Sequence, residues 1–117
     1  IHSQAYASGE LKHGTISLID EGVNVIAIAT DDALFDKTLS NIKEVKARHG
    51  YVFLVTTKAG QYLSHSCDET FILPEVDEHL APLLAVICAQ FIAYKTALGK
   101  GLDVDKPRNL AKSVTVE

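Results

Sequence analysis

Two segments gather the residues best suited to chemistry. The run Ala5-Tyr6-Ala7-Ser8-Gly9-Glu10-Leu11-Lys12-His13-Gly14 places an acid, an amine and an imidazole within four positions on a glycine-bounded turn, so it holds groups that can move protons. The run Asp103-Val104-Asp105-Lys106-Pro107-Arg108-Asn109-Leu110-Ala111-Lys112-Ser113-Val114-Thr115-Val116-Glu117 has neither a helical nor a strand period. By pattern alone the first is an ordinary turn, and the second an ordinary loose end that has no core to fill and frays. A third cluster, His65-Ser66-Cys67-Asp68-Glu69, offers soft and hard metal ligands together. Metal sites need ligands converging from more than one segment, and no second cluster stands out, so it reads as a solvated loop with one buried Cys. Cys88 falls inside an apolar run, where it serves as a small buried hydrophobe, and His79 interacts locally in the first turn of a helix. No G-x-G-x-x-G follows a strand, no G-x-x-x-x-G-K-[ST] occurs and no Cys pair has zinc spacing; neither a nucleotide cofactor nor a metal is expected.

The rest of the chain bounds what such residues serve. Its 117 residues suit one core. Eleven Lys and Arg against 15 Asp and Glu leave a net charge of −4, which carries no signature of a nucleic-acid binder. The longest charge-free stretch, Leu80 to Tyr94, falls short of the ~20 apolar residues of a membrane span. With no secretory leader pattern and two lone Cys, a soluble protein of the reducing cytoplasm is expected. A chain that starts Ile1-His2-Ser3-Gln4 and contains no Met is expected to be part of something longer.

The elements that must position these groups follow from periodicity. Val23 to Thr30 is apolar on both faces, as in a parallel-sheet strand covered from both sides. Asp31 and Asp32 are placed to cap a helix carrying Phe35, Leu39, Ile42 and Val45, with Lys43, Lys46 and Arg48 near its end and Gly50 just past it. Tyr51 to Thr57 is a second buried strand, which completes a βαβ unit and makes the fold class α/β. A polar loop, Lys58 to Glu69, leads to a short strand, Thr70 to Leu73, stopped by Pro74. Asp77 to Leu98 predicts a helix apolar around much of its circumference, packed inside the domain and against a neighbour, with a kink at Pro82. Leu102 to Glu117 reads as an irregular tail, Gln4 to Ser8 as a further short strand, and Gly9 to Gly14 as a turn of helix. Nothing precedes these that would complete a doubly wound sheet, so an N-terminally truncated domain is expected.

The turn G-E-L-K-H-G and, more specifically, the tail D-x-D-x-P-R-N-L-A-K-S-V-T-V-E resemble the isomerase half of the glutamine:fructose-6-phosphate amidotransferase (glucosamine-6-phosphate synthase) family. The similarity runs from Ile1 to Glu117. It implies a flavodoxin-like sugar isomerase (SIS) subdomain over residues 1–101, with a parallel sheet flanked by helices, and a catalytic tail over 102–117. Thr15 departs from the family, which usually has Pro after His-Gly.

The resemblance further implies a reaction, in which fructose 6-phosphate and glutamine become glucosamine 6-phosphate and glutamate in amino-sugar biosynthesis. Lys112 matches the lysine that forms a Schiff base with the open-chain ketose; it must be neutral to attack, and Arg108 is a nearby cation able to lower its pKa. His13 matches a histidine that assists ring opening from the neighbouring subunit, and the backbone at Ala111 contacts the sugar. The implied partners are the sugar phosphate, a second copy of the chain, and the rest of the parent chain, namely a first SIS subdomain and a glutaminase domain. No nucleic acid or membrane is expected to bind. In the family the proton-transfer carboxylate, the phosphate-binding loop and the glutaminase cysteine match nothing here, so the isolated chain is expected to be inactive. The alternatives are a regulatory SIS module that binds a sugar phosphate without catalysis, or a dimerisation module built on the apolar helix.

Overall fold

A computed structural model describes residues 1–30, 33–57, 60 and 65–106. Two 3-10 helices, Ser8–His13 and Thr15–Leu18, lead into strand β1 (Asn24–Ala29), helix α1 (Phe35–Lys46), strand β2 (Tyr51–Thr57), strand β3 (Glu69–Leu73) and helix α2 (Ala81–Gly99). The sheet order is β1-β2-β3 and both pairings are parallel, as the βαβ reading requires. Gln4 to Ser8 forms no strand: the chain bends into the first 3-10 helix with Glu10 N–H donating to Ala7 O at 2.9 Å. The chain divides into two compact units, Ile1–Ala85 and Val86–Glu117.

In the first unit the register sets which side chains share a face. Val25, Ala27 and Ala29 of β1 lie beside Val52, Leu54 and Thr56 of β2. Ala29, Val52 and Leu54 close on Phe35, Ile42 and Val45 of α1 to form the core, with Leu11, Ile19 and Leu39 packed around it. The helical spacing 35, 39, 42, 45 thus points one stripe of α1 at one face of the sheet. The opposite face does not match the sequence reading. Ile26, Ile28 and Phe71 remain 47%, 49% and 47% exposed, so among the described residues of the first unit β1 is covered on one side rather than both. Apolarity on both faces of a strand reports that both are meant for burial; it does not say that this chain supplies both covers.

The ends of α1 also differ from the expected arrangement. Its N-cap residue is Leu34, with no side-chain cap bond, while Asp31 and Asp32 lie outside the described residues. At the other end the left-handed position belongs to His49 (φ 64°), and Gly50 N–H closes the turn on Val45 O at 3.2 Å. Gly50 is needed for room instead. A Cβ there would stand 2.8 Å from Val45 Cγ1 and 2.9 Å from Ile19 Cγ2.

Helix α2 begins at Ala81, four residues later than the start expected at Asp77. Asp77 holds the preceding turn by accepting the His79 N–H at 2.9 Å, and Pro82 sits at the second helical position, where a missing donor leaves no bond unmade and demands no kink. Ala81 and Ala85 are buried at its start. In the second unit Cys88 is buried, while Val86, Ile87 and Phe91 are exposed over more than half their surface among the described residues. Lys95 does not end the helix but lies over the Phe91 ring at 5.3 Å. The 19 residues of α2 are therefore long and apolar enough to cross a membrane by length and composition alone, a test that the core helix of a soluble protein also meets.

Gly50→Ala should destabilise the fold by about 1–3 kcal/mol through overpacking against the immobile Val45. The shift in denaturation midpoint measures it; an unchanged midpoint would show that the α1–β2 turn has slack.

Candidate functional site

His13 ends the first 3-10 helix, a six-residue element with no buried residue and no side-chain cap. An element this short has little stability of its own, so its placement depends on tethers to the body of the domain. There are three. Leu11 packs against the core cluster, the Ser8 and Thr38 hydroxyls share a hydrogen bond at 3.2 Å, and Lys12 Nζ meets Glu44 Oε1 at 2.6 Å. The two polar tethers are four residues apart on the 3-10 helix and six apart on α1. At about 2.0 and 1.5 Å rise per residue these spans are about 8 and 9 Å, so the two elements run alongside in step. Glu10 and His13 are left exposed.

Gly14 follows with φ 151°, a conformation that side chains rarely adopt, and redirects the chain into the second 3-10 helix. Its carbonyl accepts both the Ser17 N–H at 3.0 Å and the Ser17 hydroxyl at 2.7 Å. Thr15 opens that helix. A proline fits the same position because the N–H there needs no intrahelical acceptor, so Thr15 leaves the path of the turn intact.

The tail residues Arg108, Ala111 and Lys112 lie outside the described residues. Of the expected site residues the structure therefore describes His13 alone, on the surface of the first unit. The His65–Glu69 cluster has no ligand geometry: among the described residues no group of three or more His, Cys, Asp or Glu is placed to hold a metal. Burial, with Asp68 adding to it, pushes the Cys67 thiol up, and burial pushes up that of Cys88, so neither is an activated nucleophile.

Ligands of open parallel sheets bind outside the carboxyl ends of the strands. At that end Thr56 donates its buried hydroxyl to Ala29 O at 2.7 Å, tying β2 to β1. Thr57 Oγ1 beside it is buried, with no hydrogen-bond partner among the described residues.

This arrangement of strands, helix and turn has known counterparts. A family profile described as SIS domain matches residues 1–99. The chain belongs to the SIS-domain family. Among curated relatives it is 55% identical over 117 residues to a protein of Caldanaerobacter subterraneus subsp. tengcongensis named glutamine–fructose-6-phosphate aminotransferase [isomerizing]. It is 56% identical over 118 residues to the protein of the same name from Gluconobacter oxydans. Each match takes in all of this chain and 19% of the relative, so the chain spans about a fifth of their length. The solved C-terminal domain of glucosamine-fructose-6-phosphate aminotransferase from Francisella tularensis aligns with a TM-score of 0.81 at 40% identity, covering 91% of this chain and 30% of that one. The SIS fold expected from the sequence is thereby established.

Within the SIS domain a second ion pair does structural work, and sequence reading missed it. Lys46 Nζ donates to both Asp68 oxygens at 2.7 Å and to Gly50 O at 3.3 Å, while Asp68 Oδ2 accepts the Val52 N–H at 2.6 Å. The carboxylate thereby joins the end of α1, the start of β2 and the approach to β3. It lies at the amino ends of the strands, away from where parallel sheets bind ligands. The Lys46 ammonium and then the Val52 N–H hold the Asp68 carboxyl below its ordinary value of 3.8. A lowered folded value contributes stability above the unfolded value and loses it as pH falls through the folded one. Asp68→Asn should therefore be less stable than the unmodified chain at neutral pH, with the difference closing below pH 3.8. Denaturation midpoints across the acid range test this; a difference constant with pH would assign the effect to lost packing.

Proposed function

We propose that this chain is the second SIS subdomain, residues 1–101, and the catalytic tail, residues 102–117, of an isomerising glutamine:fructose-6-phosphate aminotransferase acting in the cytoplasm. The observation that carries the reading is identity of 55–56% running through the whole chain, turn and tail included, to proteins bearing that name. The substrate half of the reaction opens the ring of fructose 6-phosphate, replaces the C2 carbonyl oxygen by nitrogen and moves a proton between C1 and C2. Lys112 supplies the amine that condenses with the open-chain C2 carbonyl, with loss of water, and the Ala111 backbone contacts the sugar beside it. Desolvation under the closed tail and the nearby Arg108 charge keep that amine neutral.

His13 serves as the proton carrier for ring opening, delivered to the neighbouring subunit of a homodimer. Its exposure at the edge of a tethered turn supports this role: it is held in place, and its own domain does not enclose it. An imidazole takes the hemiketal hydroxyl proton and returns one to the ring oxygen near neutral pH. The remaining groups, namely the C1/C2 proton base, the phosphate cradle and the ammonia source, come from the rest of the parent chain. The isolated chain of 117 residues is accordingly inactive, and no cofactor takes part.

In the parent enzyme, borohydride should trap fructose 6-phosphate on the unmodified protein and not on Lys112→Ala; equal labelling of both overturns the nucleophile. Mixing His13→Ala chains with Lys112→Ala chains places one intact site in each mixed dimer. About a quarter of full activity is then expected, since half of the dimers are mixed and one of their two sites is complete. Activity no greater than that of either variant alone places His13 in its own subunit's site.

A further inference from the structure

We infer that Lys12 and Glu44 are positioning residues for His13, setting the direction in which the imidazole leaves the domain. The inference rests on the role proposed for His13. Of the three tethers on the first 3-10 helix, Leu11 anchors its inner side and Ser8 its beginning, and neither fixes rotation about the last residue. Lys12 is the neighbour of His13, and directly beyond lies Gly14, whose backbone is free of the restraints a side chain imposes. The Lys12–Glu44 contact at 2.6 Å is thus the last fixed point before the imidazole. Glu44 belongs to the last turn of α1, whose inner stripe is locked into the core through Ile42 and Val45, so the anchor itself is rigid.

The pair is also partly open to water, with the two side chains 46% and 36% exposed. Exposed pairs contribute little to global stability, and salt screens them. An arrangement that adds little to stability but stands between a rigid helix and a catalytic turn is expected to show in turnover rather than in folding. A small error in the direction of the imidazole is costly, because proton transfer requires hydrogen-bond reach.

The test uses the intact dimeric enzyme, with kcat and KM for fructose 6-phosphate and thermal midpoint measured together. Glu44→Lys should lower kcat about three- to tenfold while KM and the thermal midpoint stay near those of the unmodified enzyme. The exchanged pair Lys12→Glu with Glu44→Lys should recover most of the loss, and added salt should reduce kcat in the unmodified enzyme more than in Glu44→Gln. His13→Ala is measured beside them. If it cripples kcat while Glu44→Lys does not, the tether is overturned and the role of His13 stands. If His13→Ala itself leaves kcat unchanged, the role of His13 falls and the tether with it. A loss in Glu44→Lys that follows the thermal midpoint and is not recovered by the exchange overturns positioning in favour of plain structural support.

Discussion

Strand β2 is buried from Val52 to Thr57, apart from a half-buried Phe53, and every other element of the first unit is placed by reference to it. A strand in this position must satisfy its backbone on both edges, which β1 and β3 do in parallel, and must cover the face that carries Val52 and Leu54, which α1 does. Since a shift of one residue would exchange the faces of the whole strand, the register is fixed by burial. The two ends of β2 then acquire separate jobs. At the amino end the Lys46–Asp68–Val52 contacts gather α1, β2 and β3 to a single carboxylate. At the carboxyl end Thr56 reaches Ala29 O across the sheet, and the chain there is free of the clamp.

Much of this was legible in the sequence because it is written in local period. The strand Tyr51 to Thr57 was placed to the residue, and the α1 stripe of Phe35, Leu39, Ile42 and Val45 entered or lined the core as its spacing requires. The glycine-bounded turn around His13 formed as a short helix, though of the tighter 3-10 kind. The failures have a common physical cause, which is that pattern reports preference and not partner. Gly50 reads as a helix stop by its conformational freedom, yet it is required by the closeness of Val45 and Ile19, a fact of tertiary contact. The apolar run from Leu80 gave the body of α2, but its start was set by the Asp77 turn and Pro82. Gln4 to Ser8 has residues a strand tolerates and found no strand to pair with.

The candidate site was legible to a smaller degree. Residue types and spacing singled out the turn and the tail, and resemblance gave Lys112 and His13 their roles, while the structure describes the surroundings of His13 alone. What no local pattern reveals is how such a turn is held. Lys12 and Glu44 are 32 positions apart, and Lys46 and Asp68 are 22 apart, so each pair exists only once the helix has docked on the sheet. Both pairs join a lysine to a carboxylate, and their settings give them different work. The Asp68 carboxylate also takes a backbone N–H and lies between three elements, so its loss is felt in folding. The Glu44 carboxylate faces one lysine on one exposed turn, so its loss is felt where that turn points.

The surfaces this chain leaves apolar bear on the same question. A parallel sheet has helices on both faces, because parallel connections place them there and because both faces of its strands are apolar. Here Ile26, Ile28 and Phe71 face outward on one side of the sheet, and α2 shows large apolar side chains beyond its first turn. A free-standing module of regulation or dimerisation would have to hide the sheet face as well as the helix. A subdomain of a longer enzyme, as proposed, meets both demands at once, and the relatives that match this chain at 55–56% identity do so over 19% of their length. In the function proposed, the polypeptide that completes the hydrophobic cover also brings the phosphate cradle and the proton-transfer base. That proposal ties the cover of the exposed sheet face and the completion of the site to the same longer polypeptide, so the apolar surface and the missing site groups have one explanation.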